Sequence, residues 1–140
     1  MSEAWRYFAL ACGISVLCLL ASCGSPRNLD IAEAEATQFH KSYNARALGD
    51  YFDRNAKVTL NSDGRTEFTA FTERVRARLG DFVEAKRGAW DVSTRDNSTL
   101  VTIRFESTFS NGLATEEFVF QIESEEAKLI GYHLLTPSIS

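Results

Sequence analysis

Apolar positions recur every three or four residues in the first half of the chain and every two in the second. Ala32, Ala36, Phe39, Tyr43 and Ala47 form one such stripe, which predicts a first helix opened by Asp30 and Glu33 as a capping box. Gly49 is the expected stop, and Tyr51 with Phe52 marks a short second helix. Lys57–Leu60 reads equally as a strand or a link, and Asn61–Gly64 has the composition of a turn. Phe68, Phe71, Val75, Leu79 and Phe82 then predict a third helix from about Thr66 to Leu79, ended by Gly80.

After Phe82 the period becomes two. Val83–Ser93 reads as a strand bent at Gly88, and Asp96-Asn97 as the turn after it. Val101, Ile103 and Phe105 alternate with Thr102, Arg104 and Glu106, which predicts a half-buried strand. Asn111-Gly112 is a hairpin signal, because both residues tolerate positive φ. Ala114, Phe118, Phe120 and Ile122 share one face of a third strand; Ala127–Leu135 makes a fourth, and Pro137 closes the domain. Helices followed by four antiparallel strands predict an α+β fold, with N-terminal helices packed on a curved sheet.

The first residues obey a different rule. Tyr7–Leu20 is uncharged and mostly apolar, the length of a secretory segment and short of the roughly 20 residues that span a membrane. Leu20-Ala21-Ser22-Cys23 follows. These four residues resemble the lipobox of a bacterial lipoprotein precursor. The resemblance implies cleavage between Ser22 and Cys23, diacylglycerol on the Cys23 thiol, and attachment to the membrane through that lipidated N-terminus. On this reading residues 1–22 are a signal peptide, 23–28 a lipidated tether and 29–137 a single domain. Gly24 stands where Asp commonly holds such lipoproteins at the inner membrane. The expectation is therefore the outer membrane, facing the periplasm, in a host with two membranes.

A second resemblance covers the domain. Leu79-Gly80, Gly88-Ala89-Trp90, Ala114–Phe118 and Lys128–Tyr132 resemble a family of small bacterial lipoproteins and secreted domains with the nuclear transport factor 2-like (cystatin-like) cone fold. These motifs are structural and imply no activity.

Composition narrows the chemistry. Cys12 and Cys18 lie in the segment expected to be removed, so the domain has neither a disulfide nor a thiolate once Cys23 is lipidated. A net charge of −4 excludes the basic footprint of a nucleic-acid binder. His40 and His133 are the only histidines, without the spacing of a metal site. Imidazole suits a general base, but a surface or hydrogen-bonded histidine is the plainer reading of both. Arg74, Arg76, Arg78, Lys86 and Arg87 read as a solvated face or as contacts to anionic headgroups. Glu117, Glu123, Glu125 and Glu126 read as hydrated surface, whereas alternation puts Glu116 on the apolar face with Phe118.

If the cone holds a pocket, Trp90, Arg104, Glu116 and Tyr132 are the candidates to line it. No catalytic set, metal or cofactor is expected. The function expected is a non-enzymatic binding or interaction domain of the cell envelope, taking a protein partner or a small ligand. The alternative is a small cone-fold enzyme, isomerase- or dehydratase-like, acting on an apolar substrate.

Overall fold

A computed structural model of the chain describes residues 26–55 and 62–136. The expected signal segment, the lipobox-like residues with Cys23, Lys57–Leu60 and Pro137 lie outside the described residues. Three helices, α1 (Pro26–Asn44), α2 (Leu48–Asn55) and α3 (Ser62–Leu79), precede four strands. The strands are β1 (Phe82–Arg95), β2 (Ser98–Phe109), β3 (Gly112–Glu123) and β4 (Glu126–Leu135). They form one antiparallel meander in the order β1-β2-β3-β4. The fold is α+β.

Helix boundaries differ from the sequence reading, for physical reasons. α1 begins at Pro26 rather than at Asp30, so Pro26–Asn28, read as tether, are helical. Proline suits a helix start, because φ near −65° is already helical and the missing N–H would have had no partner there. Gly49 does not stop α1. Arg46 does, at φ 57°, while the Ala47 amide reaches back to the Ser42 carbonyl. Gly49 instead lies in α2, where a Cβ would meet the Arg65 guanidinium at 2.8 Å. Ser62–Gly64, read as part of a turn, opens α3. Side chains that favour turns also favour helix starts, since both expose backbone N–H groups.

The sheet follows its alternation closely. β2 and β3 bury alternate residues, with Val101, Ile103, Phe105 and Ser107 opposite Phe120, Phe118, Glu116 and Ala114. Register shifts between Arg87 and Trp90 and between Val119 and Phe120 mark bulges, which bend a strand and increase its twist. The β2–β3 turn sits one residue earlier than expected. Ser110-Asn111 forms it, and Gly112 already pairs with Phe109.

Phe39 is the centre of the core. Its ring meets Tyr51, Phe68, Phe118 and Tyr132 at centroid distances of 4.9–6.2 Å, tying α1 to α2, α3, β3 and β4. Two clasps hold α1 to the edge strand β1. Glu33 pairs with Arg87 at 2.7 Å, and the Asn44 carboxamide exchanges two hydrogen bonds with the Phe82 backbone. Gly80 joins α3 to β1 at φ 77°, where a Cβ would fall 2.0 Å from Ser110 Oγ. No helix among the described residues is long and apolar enough to cross a membrane.

Candidate functional site

Strand alternation carries the Glu116 side chain into the interior, where it is 1% exposed. A carboxyl group so placed needs donors, because desolvation without hydrogen bonds costs several kcal/mol. Three arrive from three different elements. His40 of α1 lies with Nε2 2.7 Å from Glu116 Oε2. The Ser107 hydroxyl of β2 donates to the same oxygen at 2.5 Å. The Tyr132 hydroxyl of β4 donates to Oε1 at 2.6 Å. One side chain on β3 therefore joins a helix and both neighbouring strands.

Rings surround the cluster. His40 stacks flat on Phe82 at 3.7 Å between centroids and meets Phe118 edge-on at 5.6 Å. Burial, and then the adjacent Glu116 charge, push the Tyr132 hydroxyl well above its ordinary pKa and keep it a donor. Tyr43, one turn beyond His40, donates to the Gly80 carbonyl at 2.7 Å. Burial pushes its pKa up to about 12.

Beside this cluster a cleft of about 420 Å³ opens between α1 and β1. Ala36, His40, Lys41, Phe82, Val83 and Ala85 are among the residues that line it, and it lies between the two clasps. Its volume falls in the range of small-molecule sites. His40 is the one residue common to cleft and cluster. The arrangement can hold an imidazole in fixed orientation at an apolar surface, the placement a general base or a ligand hydrogen bond requires.

The four residues read from the sequence as a pocket occupy two places. Glu116 and Tyr132 meet inside. Arg104 lies on the opposite sheet face, paired with Glu117 at 2.6 Å. With Trp90, Ala89, Asp91 and Thr102 it lines a shallow depression of about 180 Å³. His40 is buried at 6% exposure, inside the core rather than beside the stripe, while His133 is exposed. Ser107 was not singled out from the sequence. Its alternation with Phe105 and Phe109 was the available signal. Arg76 and Arg87 leave the basic cluster for Asp81 and Glu33. Glu125 and Glu126 pair with Arg27 and Lys128. Among the described residues no group of three or more His, Cys, Asp or Glu side chains is placed to hold a metal ion.

Comparison with protein-family models, with curated proteins and with solved structures finds no match.

Proposed function

We propose that the chain is a lipid-anchored protein of the bacterial envelope whose domain binds a small ligand or a partner at the α1–β1 cleft, without chemistry of its own. The observation that carries the binding role is the closure of the Glu116 cluster. Both carboxyl oxygens accept from protein donors, the group is 1% exposed, and the open cleft lies outside it. A carboxyl group occupied in this way serves as a cross-link and leaves substrate no access to it. The helices-then-meander order also suits the resemblance to the nuclear transport factor 2-like fold.

The anchor rests on the lipobox resemblance at Leu20-Ala21-Ser22-Cys23 and on Gly24 for outer-membrane residence facing the periplasm. Because α1 begins at Pro26, the chain from Cys23 to the helix spans at most about 10 Å. The tethered end of the domain would sit against the leaflet.

One observation favours a second reading. His40 reaches the cleft while Glu116 fixes its ring, as a positioned general base would be fixed. On that reading the domain is a small enzyme of the isomerase or dehydratase kind, acting on an apolar substrate. A fragment screen by NMR separates the two. The binding reading predicts shifts confined to Ala36, Val83, Ala85 and His40, with every fragment recovered unchanged. Conversion of a fragment to product, lost in His40→Asn, would establish the enzyme instead.

A further inference from the structure

Arg74 and Arg78 stand one turn apart on α3, so their side chains share a face about 5–6 Å apart at Cβ. Both are exposed, and neither has an ion-pair or hydrogen-bond partner among the described residues. Between α3 and the end of β4 they flank a cleft of about 220 Å³, whose other lining residues are Phe71, Val75, Leu79, Leu134 and Thr136. Except for Thr136, that floor is apolar. The helix end beneath it is already capped, the Arg76 carbonyl by the Gly80 amide and the Leu79 carbonyl by the Asn111 amide. These two bonds satisfy two of the last four carbonyls of α3, which lowers the repulsion an anion meets there.

We propose that this cleft binds a small carboxylate carrying a short apolar tail, the carboxylate held by Arg74 and Arg78 and the tail laid on Phe71, Val75 and Leu134. Guanidinium groups match a carboxylate through paired N–H donors, and the apolar floor gives the tail a surface that water covers poorly. The volume lies below the roughly 300–1,000 Å³ of drug-sized pockets, which selects a short tail over a long acyl chain.

Position argues against the anchoring leaflet as the source of the anion. Arg27, in the first turn of α1, pairs with Glu125 of the β3–β4 turn. Tyr43, in the last turn, bonds Gly80 beside the cleft. The 19 residues of α1 put about 28 Å between those ends. With Cys23 anchored as proposed above, the cleft faces away from the membrane; the site itself needs no anchor.

The test is titration of the mature protein, held in zwitterionic nanodiscs, with sodium hexanoate, followed by 15N NMR. Shifts at the Arg74 and Arg78 Nε–H and at the Leu134 and Thr136 amides are expected, with a Kd on the order of 1 mM. Arg74→Gln with Arg78→Gln, two exposed changes, should weaken binding at least about tenfold while the remaining spectrum is kept. Hexanol and hexylammonium should leave the cleft unshifted. Equal binding of hexanol, or hexanoate binding unchanged in the double variant, would overturn the proposal. Inorganic phosphate binding as tightly as hexanoate would overturn the apolar half of it. Shifts at Arg74 and Arg78 in phosphatidylglycerol nanodiscs but not in zwitterionic ones, without any hexanoate response, would assign the arginines to a lipid surface instead.

Discussion

Glu116 Oε2 lies 2.7 Å from His40 Nε2, inside a protein whose other carboxyl groups mostly meet water or surface cations. The contact joins the C-terminal part of α1 to β3, and Ser107 and Tyr132 complete it. Removing the acceptor leaves three buried donors without a partner. Glu116→Ala should therefore cost about 3–5 kcal/mol in urea unfolding. Tyr132→Phe, which deletes one donor and keeps the ring, should cost about 1–2 kcal/mol. A double-mutant cycle between His40→Ala and Glu116→Ala should show a coupling of about 0.5–3 kcal/mol. Additive losses would mean that the contact contributes nothing of its own.

Alkaline pH should unfold the protein by way of its tyrosines. Burial raises the hydroxyls of Tyr43, Tyr51 and Tyr132, with Tyr43 pushed up to about 12. An unfolded tyrosine loses its proton near pH 10. Between about 10 and 12 the folded chain keeps a proton that the unfolded chain has lost, so stability falls as pH rises. Stability present below pH 10 is lost through that window. The melting temperature, followed from pH 8 to 12, should drop steeply above 10, and Tyr43→Phe should flatten the drop.

Phe118 and Phe71 were both read as core residues, yet they are buried to different extents. Phe118 is 0% exposed and touches Phe39, His40, Phe105, Phe120 and Tyr132. Phe71 is half-buried at the edge of the Arg74–Arg78 cleft. Phe118→Ala should cost about 3–5 kcal/mol, and Phe71→Ala about half of that. Equal losses at both sites would contradict the half-buried position of Phe71.

The sheet was legible because a period of two survives burial on one face, and Glu116 declared itself by breaking it. The end of α1 was not legible. Arg46 adopts a left-handed conformation that its side chain does not advertise, while Gly49 drew attention and serves to admit Arg65. His40 was visible as a histidine but one position off the stripe, and α1 must dock on the sheet before its ring can reach Glu116. Arg104 and Trp90, candidates for one pocket with Glu116, lie apart from it. Alternation along β2 sends Arg104 to the other face.

The lipid anchor at Cys23 is the claim on which the cellular role turns, and an intact-mass spectrum of the protein extracted from host membranes tests it most directly. The account predicts a chain beginning at Cys23 with the added mass of diacylglycerol, and no membrane-bound form from Cys23→Ala. A full-length chain, or a chain cut elsewhere with a free Cys23 thiol, would contradict it.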